Sequence, residues 1–156
     1  MKKVFALVVC ALIAFGCTGC KKDQRPADLP EDMTPCKIIL TQEGKPLADA
    51  TVEFAYSTQV KYTTSGSTDE KGVATMVTYG YPGAQQGVAK IVVRKVVTEG
   101  ASEAEEYGES GDSGSDFNVV DAKYRSAETT DLEITIGKEN VEETFELGPA
   151  VHEPAK

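Results

Sequence analysis

Histidine is almost absent from this sequence of 156 residues, and its single copy, His152, follows Gly148-Pro149 in a polar stretch. A Ser-His-Asp or Cys-His arrangement needs a histidine inside the folded domain, beside the nucleophile that it activates. The sequence therefore predicts no catalytic centre of either kind and a protein that is not an enzyme. It also predicts no zinc site, because Cys36 and His152 are single, distant residues rather than closely spaced ligands.

Cysteine is scarce outside the N-terminal segment. Cys10, Cys17 and Cys20 lie within the first twenty residues, and only Cys36 lies beyond them. A disulfide framework needs several cysteines spread through the domain. We therefore expect no structural disulfide, and we interpret Cys36 as a small buried hydrophobic residue.

Basic residues are outnumbered, with 16 Lys and Arg against 25 Asp and Glu and a net charge of −9. Loss of Lys2 and Lys3 with a leader would leave 14 basic against 25 acidic residues, a charge of −11. Phosphate backbones are bound by clustered Lys and Arg, so we expect no nucleic-acid partner. The hydrophobic fraction of 40% and the charged fraction of 26% are typical of a soluble globular domain.

Long hydrophobic runs are absent as well. The longest, residues 4–15, has twelve residues, whereas a spanning helix needs about 20, which disfavours a permanent transmembrane anchor. This run follows Lys2-Lys3 and precedes small residues, in the order of an export signal. We therefore interpret residues 1–19 as a cleaved signal peptide.

The end of this leader resembles the bacterial lipobox, in which small residues precede a cysteine that is lipidated on sulfur and becomes the new N-terminus. Thr18 and Gly19 fit that pattern and predict lipidation of Cys20. Cys17 is the alternative, although bulky Phe15 fits its preceding positions less well. An ordinary secretory signal with accidental cysteines is the competing interpretation. Because two or three acyl chains anchor a protein stably, the lipobox predicts a membrane partner at the cell envelope.

The membrane that receives the anchor is predicted by analogy with the retention signals of well-known bacteria. Those signals place Asp after the lipidated cysteine, whereas this chain has Lys21, which suits the outer membrane or its periplasmic side. Residues 20–35 are polar and contain three prolines, so we interpret them as a flexible linker.

Beyond residue 35 the chain consists of short β-rich runs with a period of two, which predicts an all-β fold. Seven strands in a two-sheet sandwich are expected across a domain of residues 36–147. Residues 79–87 are expected to form a loop, residues 98–118 an acidic Gly/Ser-rich loop, and residues 148–156 a polar tail. The seven predicted strands cover residues 36–41, 51–57, 60–68, 73–77, 89–97, 132–136 and 141–147.

The acidic loop carries carboxylates in a glycine-rich segment, and hard oxygen ligands of this kind suit calcium. The calcium candidates are Glu109, Asp112 and Asp116, although their spacing lacks the twelve-residue pattern of an EF-hand. A solvated insertion is the other interpretation, because clustered like charge buries little surface.

Loop tyrosines offer a second kind of candidate. The rings of Tyr79, Tyr81 and Tyr107 could stack on a sugar, or they could cap the end of the core.

Several segments carry a family resemblance. The runs GKPLADATVEF (44–54), STDEKGVATMVTY (67–79) and GVAKIVVRK (87–95) resemble carboxypeptidase regulatory-like, or transthyretin-like, domains of planctomycete-type bacterial lipoproteins. Residues 120–147 are similar to the closing segment of those lipoproteins. The resemblance implies a β-sandwich that acts as a non-enzymatic structural or interaction module at the cell envelope, with an envelope protein or carbohydrate as its partner.

Two alternatives accompany that resemblance. A calcium-stabilised module for a protein or carbohydrate ligand is the first. A transthyretin-like hydrolase is the second, and the resemblance disfavours it, because hydroxyisourate hydrolases depend on histidines in the sandwich and a terminal Tyr-Arg-Gly-Ser motif. Tyr124-Arg125-Ser126 matches that motif only in part and is not terminal.

Overall fold

The computed structural model describes residues 25–100 and 114–155, and strands dominate both ranges. The predicted all-β class is confirmed: the described residues contain thirteen strands, no α-helix and a short 3-10 helix, Ala122–Arg125. None of the helical structure in these ranges is long and apolar enough to cross a membrane. The strands are β1 (Cys36–Gln42), β2 (Lys45–Pro46), β3 (Thr51–Tyr56), β4 (Thr64–Ser67), β5 (Val73–Thr75), β6 (Val77–Thr78), β7 (Tyr81–Pro82), β8 (Gly87–Arg94), β9 (Val96–Glu99), β10 (Ser115–Asn118), β11 (Glu133–Ile136), β12 (Val141–Leu147) and β13 (Glu153–Pro154).

The largest sheet is antiparallel and has the strand order β11-β8-β3-β4-β6-β7. Its longest pairing joins β3 to β8, with Val52 opposite Val93 and Phe54 opposite Ile91. All four side chains are buried, whereas Glu53 between them is only half-buried. The period of two read from the sequence thus places one face of this sheet in the core.

A second sheet is built around β1. Its strand order is β12-β1-β2, and β5 also pairs with β1. β12, which is distant from β1 in sequence, runs parallel to it, from Cys36 opposite Val141 to Gln42 opposite Leu147. Ile38 in β1 is fully buried, as expected from its nearly continuous apolar run.

Both sheets contribute to one hydrophobic cluster. Each aliphatic side chain buried in it stabilises the fold by roughly 1.5–3 kcal/mol relative to exposure. The largest fully buried apolar side chains are Ile38, Leu40, Val52, Met76, Ile91, Val93, Val120, Ile134 and Leu147.

A third sheet, β13-β10-β9, corrects two predictions. The predicted loop over residues 98–118 contributes β10 and the end of β9, and the predicted tail over residues 148–156 contributes β13. The rings of Phe117 and His152 stack at 3.9 Å between centroids, so part of the tail packs on the domain. Strands this short carry at most two aliphatic or aromatic residues each, too few to give a readable period.

The predicted flexible linker over residues 20–35 is also corrected in its described part. Leu29 is buried, and Thr34 forms a β-bridge with Ala84. Thr34 N–H donates to the Ala84 carbonyl oxygen at 2.9 Å, and Ala84 N–H donates to the Thr34 carbonyl oxygen at 2.8 Å. The Thr34 hydroxyl donates to the carbonyl oxygen of Gly137. The folded domain therefore begins before Cys36.

Other boundaries differ from the predicted ones. The run over residues 60–68 forms only the four-residue β4, and the run over residues 73–77 is divided between β5 and β6, which belong to different sheets. The predicted loop over residues 79–87 contains β7. The described strands outnumber the seven predicted because two-residue strands are defined by their partners rather than by their own pattern.

Candidate binding surface

The hairpin formed by β6 and β7 ends in an unusual turn. Thr78 pairs with Tyr81, so the loop consists of Tyr79 and Gly80, whose φ angles are +51° and +81°. Two positive φ angles in a two-residue hairpin loop are the pattern of a type I′ turn, which favours Asn, Asp or Gly. Tyr79 is therefore an unfavourable choice for its backbone conformation, and its side chain is 62% exposed.

Buried hydrogen bonds hold this hairpin in place. The Thr78 hydroxyl donates to the carbonyl oxygen of Gly83 at 2.8 Å and lies 2.8 Å from the hydroxyl of Thr64 in β4. The Thr64 hydroxyl also lies 2.9 Å from the phenol oxygen of Tyr56 in β3. Because these contacts join three neighbouring strands beneath the turn, the backbone that carries Tyr79 is rigidly supported.

A second tyrosine packs against the first. The ring centroids of Tyr62 and Tyr79 are 5.0 Å apart, and the ring planes are inclined at 51°. The Tyr62 hydroxyl donates to Asp28 Oδ1 at 2.5 Å, and Lys61 Nζ donates to Asp28 Oδ2. Lys61 Nζ also lies 5.3 Å from the centroid of the Tyr62 ring, within the range of a cation–π contact.

The contacts among these residues shift their pKa values. The hydrogen bonds from Lys61 and then Tyr62 hold the pKa of Asp28 below its usual value. The hydrogen bond to Asp28 raises the pKa of Lys61 and that of Tyr62. Asp28 and Lys61 thus form an exposed ion pair, and Asp28 also accepts the hydrogen bond from the Tyr62 hydroxyl.

The two tyrosines border a shallow cleft of about 480 Å³. Ser65 in β4 and Val77 in β6 lie opposite each other in the sheet beneath it. The cleft thus combines an exposed aromatic ring, an aliphatic side chain, hydroxyls and an ammonium group. Its lining residues are Lys61, Tyr62, Thr63, Ser65, Val77, Tyr79 and Gly80.

Another cleft, of about 490 Å³, contains two arginines. Arg125 forms an ion pair with Glu153, and Arg94 forms one with Glu53 at 3.0 Å. Arg125 Nε is buried without a hydrogen-bond partner among the described residues. Both guanidinium groups are thus already paired with carboxylates. Arg125, which belongs to the partial Tyr-Arg-Ser motif, is paired with Glu153 of β13.

The calcium candidates are only partly covered by the structure. Asp116 lies in β10, where its Oδ1 accepts a hydrogen bond from the Thr98 hydroxyl at 2.6 Å. Glu109 and Asp112 lie outside the described residues, as do the lipidation candidates Cys20 and Cys17. Within residues 25–100 and 114–155, no group of three or more His, Cys, Asp or Glu side chains is placed to hold a metal ion.

The structure separates the three candidate tyrosines. Tyr79 lies at the cleft, Tyr81 is half-buried with the Arg25 guanidinium 5.3 Å from its ring centroid, and Tyr107 lies outside the described residues. Two residues were missed in the sequence: Tyr62, which lines the cleft, and Asp28, which accepts the hydrogen bond from the Tyr62 hydroxyl. The lone histidine, His152, stacks on the third sheet rather than near the cleft.

Cys36 is buried, as predicted, and burial followed by the nearby charge of Glu143 raises its pKa to about 11 from a usual 9.0. At pH 8 the thiolate fraction falls from about one in ten to about one in a thousand. We expect iodoacetamide to modify native Cys36 about 100-fold more slowly than the unfolded chain, as measured by mass spectrometry of its peptide with and without urea.

The same shift makes stability depend on pH in the alkaline range. Folding raises the pKa of this thiol. The contribution of its burial to the free energy of unfolding is therefore fully present below about pH 9 and is lost as the pH rises towards 11. Equal alkylation rates in the native and unfolded states would contradict the buried position of Cys36.

No family model, no curated protein and no solved structure matches this chain.

Proposed function

We propose that the chain is a bacterial lipoprotein, anchored at the cell envelope by acyl chains on Cys20, whose β domain is a non-enzymatic interaction module. The observation that carries this proposal is the order of features at the N-terminus. Two lysines, twelve largely apolar residues and the small residues Thr18-Gly19 lead directly to Cys20. That order is the one expected when a leader is removed and the exposed cysteine is acylated.

The domain is proposed to be a sandwich of the carboxypeptidase regulatory-like, or transthyretin-like, class. Support comes from the six-stranded antiparallel sheet and the sheet around β1, which contribute side chains to one hydrophobic cluster. The resembling segments 44–54 and 87–95 cover most of β3 and all of β8, the two strands with the longest pairing in the larger sheet. The seven-strand, two-sheet core of this class belongs to the proposal.

An interaction role fits the way in which the domain meets its tether. Among the described residues, Leu29 is the first that is buried, nine positions after Cys20. Nine extended residues reach about 30 Å, so the acylated N-terminus would hold the domain close to the membrane surface. The exposed Tyr79 ring packs on Tyr62, which binds Asp28 in the N-terminal segment, so it would then lie within short range of the envelope.

The mature N-terminus tests the anchor directly. We expect the native protein, extracted in detergent, to begin at Cys20 and to carry the added mass of two or three acyl chains, as read by intact and peptide mass spectrometry. The Cys17→Ala variant should give the same mature N-terminus. A first residue other than Cys20, or Cys20 without acyl mass, would overturn the proposal.

A further inference from the structure

We propose that the cleft beside Tyr79 binds the ring of a neutral sugar. The proposal rests on the interaction-module function and gives it a ligand class. Its starting point is the conflict between Tyr79 and its backbone. A residue with φ of +51° in a two-residue hairpin loop is ordinarily Asn, Asp or Gly, and a tyrosine there adopts a conformation that costs free energy. Strain of this kind clusters at functional sites, but Glu43 has it as well in the turn between β1 and β2, so the exposed aromatic ring rather than the strain alone marks Tyr79.

The packing of the Tyr79 side chain does not account for a tyrosine in this turn, because its ring contact is with Tyr62 alone among the described aromatic rings. The Tyr79 ring packs against the Tyr62 ring, and the residue remains 62% exposed, so most of its apolar surface faces solvent. Tyr62 in turn is fixed by Asp28 and Lys61. The arrangement is a supported aromatic ring with a free face, which is the part of a binding site that contacts an apolar ligand surface.

The other groups in the cleft indicate an amphipathic ligand. Val77 gives an aliphatic contact, while Ser65 and Thr63 give hydroxyls and Lys61 gives N–H donors. A sugar ring matches this set, because its C–H face packs on an aromatic ring and its hydroxyls hydrogen-bond at the edge.

Charge favours a neutral ligand over an anionic one. Asp28 already neutralises Lys61, the cation in the lining, and the chain as a whole carries a charge of −9. A phosphate or sulfate group would meet no unpaired cation there and would be repelled by the domain. The arginine cleft offers no competing anion site of the same kind, because Glu153 and Glu53 already pair with its guanidinium groups.

The position of the cleft relative to the tether is consistent with an envelope glycan. Asp28 belongs to the network at the cleft and lies eight positions after Cys20. Eight extended residues span about 27 Å, so acylation of Cys20 would keep the cleft near the membrane surface.

Two soluble tetrasaccharides test the proposal on the full mature chain in detergent micelles: cellotetraose and the N-acetylglucosamine tetramer. We expect at least one of them to shift backbone amide resonances around residues 61–65 and 77–80. The Tyr79→Asn variant should bind at least about tenfold more weakly, because the aromatic contact is lost, and Tyr79→Phe should retain binding. Asn suits the turn, so the variant should melt no lower than the parent.

The turn between β1 and β2 provides the matched control. Glu43 there has φ of +54° and precedes Gly44 in the same kind of two-residue loop, and Glu43→Asn should leave sugar binding unchanged. Absence of binding by both sugars at millimolar concentration, undiminished binding by Tyr79→Asn, or binding of a decaproline peptide in place of sugars would each overturn the inference. If neither sugar binds an acylated protein, only the ligand class fails. If a sugar binds a protein without acyl chains, the cleft stands and the lipoprotein proposal fails.

Discussion

Replacement of Cys20 by alanine is expected to reduce incorporation of an alkyne analogue of palmitate to background. Alanine has no sulfur to carry an acyl chain, so the loss should be complete rather than partial. The measurement is fluorescence of the protein band after coupling to an azide dye, in bacteria grown with the analogue. Labelling is a better readout than fractionation, because an uncleaved leader would keep twelve largely apolar residues that can themselves associate with membrane.

Two other cysteine variants are matched controls for this result. Cys17→Ala should label like the parent, because Cys17 is removed with the leader in the proposed processing. Cys36→Ala should also label fully, because its buried thiol belongs to β1. Loss of label in Cys17→Ala alone would move the anchor to Cys17, and full labelling of Cys20→Ala would exclude Cys20 as the acylated residue.

The all-β class was predictable because the longer strands repeat their pattern often enough to be read. β3 alternates the buried Val52 and Phe54 with partly exposed residues. In β8, Ala89, Ile91 and Val93 recur at every second position and are buried, although Val92 between the last two is buried as well. A strand of six to eight residues gives three or four inward positions, which is sufficient to separate a period of two from 3.6.

The third sheet and the packed N-terminal segment were not predictable for the opposite reason. β10 contains one aromatic residue, Phe117, among polar neighbours, and its partners β9 and β13 are distant in sequence. The segment before Cys36 contains a single leucine, Leu29, within polar residues and prolines. Isolated apolar residues become core residues only when the rest of the fold supplies the surface that covers them.

Only part of the candidate cleft was predictable from the sequence. Tyr79 stood out because a tyrosine next to glycine and proline lies in a loop. Asp28 and Tyr62 did not, since they lie 34 positions apart and the first falls in a segment that reads as linker. Their hydrogen bond exists because the fold brings the segment before β4 close to the N-terminal segment, and no local pattern encodes it.

Gly72 illustrates the same distinction and gives the second large prediction. The Asp69-Glu70-Lys71-Gly72 turn was predicted from its residue types, and Gly72 has φ of +75°. Its carbonyl accepts a hydrogen bond from Leu40 N–H at 2.8 Å, which draws the turn against β1. A Cβ at Gly72 would overlap the carbonyl oxygen of Leu40 and lie 3.1 Å from the backbone nitrogen of Leu47. That close packing is tertiary and has no sequence signal.

The Gly72→Ala variant is therefore expected to lose about 3 kcal/mol or more of unfolding free energy, from an unfavourable φ together with a backbone overlap. Gly44→Ala is the matched control, because Gly44 has nearly the same φ, +72°, and nothing within 4 Å of an added Cβ. It should lose only about 1–2 kcal/mol. Urea unfolding followed by circular dichroism measures both, since the chain has no tryptophan to report by fluorescence. Equal losses in the two variants would show that Gly72 does not pack against β1, because the backbone conformation alone would then account for the cost.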